Sequence, residues 1–147
     1  MYDKILVPTD GGTAAQKGVE HAIELASAVG ATVHALYVID LPGAPRTPHI
    51  WDDEEEIREE YESHGEEITA EVCDAAADAG VECIGVLRTG TVHEEVSDYA
   101  EQEGVDLVVM GTGYRGKFGA LLGGNAEKVV RTCPVPVTTI RLDEEEN

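Results

Sequence analysis

Positive charge is what this sequence has least of: 10 Lys and Arg stand against 30 Asp and Glu, a formal net charge of −20 over 147 residues. Such a chain repels polyanions over most of its surface, so neither nucleic acid nor an anionic membrane is expected as a partner. The three cysteines, Cys73, Cys83 and Cys133, form no CxxC pair. That excludes the usual redox motif and zinc site and leaves the expectation of buried, reduced thiols. No apolar run reaches the roughly 20 residues that cross a bilayer, and Met1 leads into the strand-like Lys4-Ile5-Leu6-Val7 without a basic stretch, apolar core or cleavage site. The expected location is the cytoplasm. No repeat, linker or compositional boundary divides the chain, whose length suits one domain over residues 1–147 that needs no covalent staple.

The acidic residues are spread over several segments as well as Asp143-Glu144-Glu145-Glu146, a whole-surface pattern more than one interaction tail. Two readings stand side by side. One is a high-salt cytoplasm, where a Debye length of about 3 Å at 1 M screens the self-repulsion; the other is an ordinary acidic protein.

Short β-branched runs alternate with longer helical patterns, the signature of successive βαβ units. Five strands are expected, at Lys4 to Pro8, Thr32 to Val38, Val81 to Leu87, Asp106 to Met110 and Val135 to Ile140. Their near-continuous apolar character suits strands covered on both faces. In the first gap Ala15, Val19, Ala22, Ile23 and Ala26 recur at helical spacing, with Thr13 and Gln16 in capping-box register and Gly30 as the stop. Thr91 and Glu94 repeat the device before Val92, Val96, Tyr99 and Ala100, and Gly104 ends that helix. The proline-rich segment from Leu41 to Trp51 reads as a loop, with His49 and Trp51 either anchoring it or covering a ligand. A long helix then starts near Asp52, its inner stripe expected at Ile57, Tyr61, Ile68, Val72, Ala75 and Ala79, with Gly65 as an interruption.

The segment from Met110 to Lys128 holds the densest glycine in the chain, and Arg115, Lys117 and Lys128 reverse the local sign of charge. Glycine lets backbone N–H groups turn toward a ligand, and the N-terminus of a following helix adds positive potential, so the segment suits phosphate. Gly111-x-Gly113-x-x-Gly116 fits a dinucleotide fingerprint, but such loops open a βαβ unit and here one strand remains. A P-loop match fails at Phe118, where a magnesium-binding hydroxyl belongs. The alternative is a glycine-rich loop without a ligand.

Strand one ends in Pro8-Thr9-Asp10-Gly11-Gly12. With strand order 3-2-1-4-5, strands one and four are neighbours whose connections leave to opposite faces, which opens a crevice at their carboxyl ends. There Asp10 would face the glycine segment, free to accept hydrogen bonds from an adenine amino group or a ribose hydroxyl. Equally, Asp10 braces the turn before the helix.

These residues resemble the universal stress proteins. The resemblance runs through Ile5-Leu6-Val7-Pro8-Thr9-Asp10, Val92-His93-Glu94-Glu95-Val96, Gly104-Val105-Asp106-Leu107-Val108-Val109-Met110-Gly111, and Ala126-Glu127-Lys128-Val129-Val130-Arg131 with Cys133-Pro134-Val135-Pro136-Val137. It implies a single doubly wound α/β domain, a five-stranded parallel sheet with helices on both faces, and a homodimer paired through the last strand, Val135 to Ile140. It also implies an adenine nucleotide, ATP with Mg2+ as a companion, for which AMP or ADP is the alternative that the loop's departure described below leaves open. Its contacts correspond to Pro8, Thr9, Asp10, Val38, Met110 and Gly111, then to Gly113, Gly123, Gly124 and Asn125. The loop departs from the pattern of the ATP-binding members by being one residue short, and Gly124 replaces a phosphate-binding hydroxyl. A dimeric interaction protein of the same fold, with an empty pocket, is the rival function. No histidine pairs with a nucleophile, and no catalytic residue is assigned.

Overall fold

The computed structural model describes residues 2–40, 51–113 and 124–142, apart from the side chains of 51–54. The β-branched runs form β1 (Lys4–Pro8), β2 (Thr32–Ile39), β3 (Cys83–Thr89), β4 (Leu107–Thr112) and β5 (Val137–Arg141). Between them lie α1 (Thr13–Val29), α2 (Trp51–Asp78), α3 (Val92–Gln102) and α4 (Asn125–Thr132). All strand pairings are parallel, in the order β3-β2-β1-β4-β5.

Side chains of period two divide the core between the two faces. Ile5, Val7, Val33 and Val109 pack against α1 and α2, through Val19, Ala22, Val72 and Ala76. Leu6, Leu36, Val108 and Met110 meet α3 and α4, through Val96, Tyr99 and Val129. The helix that follows β1 therefore lies on one face and the helix that follows β4 on the other, the crossing that opens a crevice between them.

Coverage is not uniform. From Ile5 onward β1 is buried, whereas β3 and β5 are the sheet's edges, and Ile84 on β3 is 49% exposed. Both edge strands also begin two residues later than their apolar runs. Val81 is taken by the stop of α2, its N–H bonded to Ala76 O at 2.8 Å beyond Gly80 in the left-handed region, φ 73°. Pro136 lies ahead of β5, and its carbonyl accepts Val108 N–H at 3.0 Å.

The expected stripe of α2 is corrected. Its buried face is Gly65, Ile68, Thr69, Val72 and Ala76, while Ala75 and Ala79 are exposed and Ile57 and Tyr61 are 44% and 38% exposed. A helix of 28 residues runs about 42 Å, against about 26 Å for the longest strand, so its first turns outrun the sheet. Nor does Gly65 break the helix. A Cβ there would come within 2.6 Å of the Tyr37 ring, so glycine is what allows α2 to lie close on β2.

A second correction concerns the thiols. Cys73, near the end of α2, and Cys83, which opens β3, form a disulfide with Cα atoms 5.1 Å apart, and Cys133 alone is free. The tight turn at Gly80 folds ten residues of separation into bonding distance. Among the described residues no helix is long and apolar enough to cross a membrane.

Candidate functional site

The turn from β1 into α1 is built by side chains that grip backbone. Thr9 N–H continues the ladder to Leu36 O at 2.9 Å, while Thr9 Oγ1 accepts Gly11 N–H at 3.1 Å and Asp10 Oδ1 accepts Gly12 N–H at 2.8 Å. Gly11 sits at φ 82°, in the left-handed region that favours glycine, and a Cβ there would push on Ile68 Cδ1 at 2.8 Å. The cap of α1 differs from expectation. Gly12 is the N-cap, Thr13 is already helical, and no side-chain cap forms; the Asp10 and Thr9 turns leave Thr13 no capping role. Thr91 does occupy the N-cap of α3, though without the side-chain bond of a capping box.

On β4 the decisive residue is Gly111. A Cβ on it would fall 1.7 Å from Ala14 O, and one on Gly18 would fall 2.6 Å from Gly111 N. Two glycines thus let α1 lie directly on β4, which brings the first turn of α1 to the carboxyl edge of the sheet. Beyond the sheet, α4 begins at its N-cap Gly124 without a side-chain cap, so its first N–H groups await another acceptor.

These ends enclose a cleft of about 500 Å3, within the range of small-molecule sites. Pro8 enters it from β1, Thr9 and Asp10 from the turn that follows, Val38 from β2, Met110 and Gly111 from β4, then Gly113, with Asn125 from α4. Gly124 stands beside Asn125 as the N-cap and does not itself line the cleft. Gly123 lies outside the described residues, as do His49, Tyr114, Phe118, the basic pair Arg115 and Lys117, and the side chain of Trp51. Asp10 and Gly111 share one cleft, and Asp10 braces the turn through one of its two carboxylate oxygens.

Sequence reasoning missed several walls. Leu36 is the register partner of Pro8 and lies two residues before Val38 on the same strand, a signal that pairing would have provided. Val92 opens α3, and Leu142 is carried in by its N–H bond to Thr112 O at 2.9 Å. Neither is visible before the fold is known.

Among the described residues lining the cleft, Asp10 is the one ionisable side chain. Among the described residues no histidine lines it. His34 is buried on β2 with Nδ1 2.6 Å from Tyr99 Oη, and burial, followed by the charge of Lys4, lowers its pKa against an opposing effect of Glu103. Arg88 stacks over the Tyr99 ring at 5.1 Å and pairs with Glu95 at 3.8 Å. His93 stands in the first turn of α3 with Nδ1 buried and without a hydrogen-bond partner, while His21 and His64 are exposed. Among the described residues no group of three or more His, Cys, Asp or Glu is placed to hold a metal ion.

Comparison with known proteins agrees with this geometry. The family described as "Universal stress protein family" matches residues 1–141. Universal stress protein MJ0531 of Methanocaldococcus jannaschii is 33% identical over 149 residues, covering 99% of this chain and 86% of that protein. Among solved structures, the universal stress protein UspA from Lactobacillus plantarum superposes with a TM-score of 0.84 at 29% identity, covering 95% of this chain and 98% of its own. A universal stress protein family protein from Arabidopsis thaliana, solved with AMP bound, superposes with a TM-score of 0.74 at 19% identity, covering 98% of this chain and 94% of its own.

Proposed function

Because this chain belongs to the universal stress protein family, we propose that its cleft between β1 and β4 binds an adenine nucleotide. The observation that carries the reading is the convergence of Asp10, Gly111 and Asn125 on one cavity. Leu36, Val38, Val92 and Met110 give that cavity apolar walls suited to a flat base. Asp10 keeps one oxygen for a ribose hydroxyl or an adenine amino group. The uncapped first turn of α4 and the backbone at Gly113 face the phosphates. That a protein of this fold carries AMP supports the choice of ligand.

In this reading Mg2+ travels with the phosphates of ATP and is not held in a cage of carboxylates. The missing hydroxyl at Gly124 shifts preference toward shorter phosphate chains unless another group compensates. Titration calorimetry with adenosine, AMP and ATP, with and without Mg2+ and in high salt, tests the proposal. Heat of binding and a raised melting temperature are expected with at least one of the three; neither with any of them would refute it.

A second reading has its own observation. Among the described residues no strand pairs with the outer edge of β5, and its open backbone groups invite pairing with a second copy. We propose that the protein acts as a homodimer through this edge. A monomeric mass by sedimentation would contradict that.

A further inference from the structure

At Gly113 the cleft gives way to a second cavity. Thr112, Gly113 and Ala126 line both the cleft and a groove of about 480 Å3 between α4 and β5. The two cavities differ in charge. Among the described residues the cleft contains no cationic side chain, whereas the groove contains Arg131, from the last turn of α4, and Arg141, the final residue of β5, against one carboxylate, Glu127.

Two arginines in one groove are unexpected in a chain with 10 basic and 30 acidic residues. Neither Arg131 nor Arg141 has a described carboxylate within 4.0 Å. Both are exposed, and a guanidinium presents a planar fork that matches two phosphate oxygens at once. Among the described residues nothing lies within 4 Å of the Cβ position of Gly113, where the two cavities meet.

We infer that this groove is a subsite for the outer phosphates of a nucleoside polyphosphate whose adenosine part lies in the cleft, an inference that rests on the nucleotide reading above. The phosphate chain crosses at Gly113 and ends on Arg131 and Arg141, which take the place of the hydroxyl absent at Gly124. Glu127 repels the same phosphates and holds the affinity down. Chain length is what the subsite reads: adenosine and AMP end inside the cleft, and ATP extends to the guanidiniums.

The test is calorimetry on the full chain with adenosine, AMP and ATP, comparing the wild type with R131Q/R141Q, R131K/R141K and E127Q, each variant first checked by thermal melting. The glutamine pair is expected to weaken ATP by about tenfold or more while leaving adenosine and AMP within about twofold. The lysine pair, which keeps charge without the fork, is expected to lie between it and the wild type. E127Q is expected to tighten ATP alone. Adenosine and ATP bound by all variants in an unchanged ratio would overturn the subsite and leave the cleft standing, whereas no binding of any of the three ligands to the wild type would overturn both. If the glutamine pair instead changes the sedimenting mass and leaves the ratio alone, the groove belongs to a second copy of the chain and the inference fails.

Discussion

Replacing Gly111 with alanine adds one methyl group at the contact on which the cleft depends. The new Cβ would lie 1.7 Å from Ala14 O and 2.6 Å from Ala14 C, both backbone atoms of the first turn of α1. No rotamer change relieves a backbone clash, so α1 must move off β4 by well over an ångström. Overpacking in a core costs about 1–3 kcal/mol, and with no side chain able to yield the upper end applies. At about 3 kcal/mol the melting temperature of a domain this size falls by about 10 °C. Gly18→Ala attacks the same contact from the helix side, at 2.6 Å from Gly111 N. Its gain of about 1 kcal/mol in helix propensity offsets part of the cost, so a smaller drop is expected. Gly113→Ala is the control, since among the described residues a Cβ there meets nothing within 4 Å. Thermal melts at fixed salt, followed by nucleotide titration of the folded variants, give the readout. A Gly111→Ala protein that melts with the Gly113→Ala control would refute the claim that these glycines set the helix against the strand.

Three further outcomes are expected. His34 has its pKa lowered from 6.5, so the unfolded chain binds the proton more readily and stability present above about pH 6.5 is lost as pH falls toward the folded value; melting curves of wild type and His34→Gln should diverge below about pH 6.5, and parallel curves would contradict the burial argument. The Cys73–Cys83 disulfide closes a separation of 10 residues, for which chain entropy gives about 3 kcal/mol; reductant should lower the melting temperature by about 10 °C, and three titratable thiols in the unreduced, denatured protein would show that the bond does not form. If the charge of −20 suits a high-salt cytoplasm, molar KCl should raise the melting temperature above that in dilute buffer; no rise would favour an ordinary acidic protein.

The strands were legible because β-branched runs between helical stretches define them. The placement of Asp10 in one cleft with Gly111 followed only once the order 3-2-1-4-5, one of several doubly wound orders, was adopted. What escaped depends on distance across the fold. Cys73 and Cys83 are paired by a turn whose path periodicity does not encode. The exposure of Ile57 and Tyr61 follows from α2 being longer than the strands beneath it, and Ala76 replaces Ala75 and Ala79 in the core because the sheet, not the helix alone, chooses the buried face. Val92 and Leu142 reach the cleft only through tertiary contacts. Thr13 was misread for a different reason: its spacing to Gln16 fits a cap, but Asp10 and Thr9 had already shaped the turn so that Gly12 fills that position.

The central claim is one of place, and the most direct measurement is therefore a map: amide resonances of the isotope-labelled protein followed as AMP is added. The account expects the largest shifts at Thr9, Gly12, Gly111, Gly113 and Asn125, the backbone that surrounds the cleft. Saturating AMP that leaves these five amides still, or that moves a different surface instead, would contradict it.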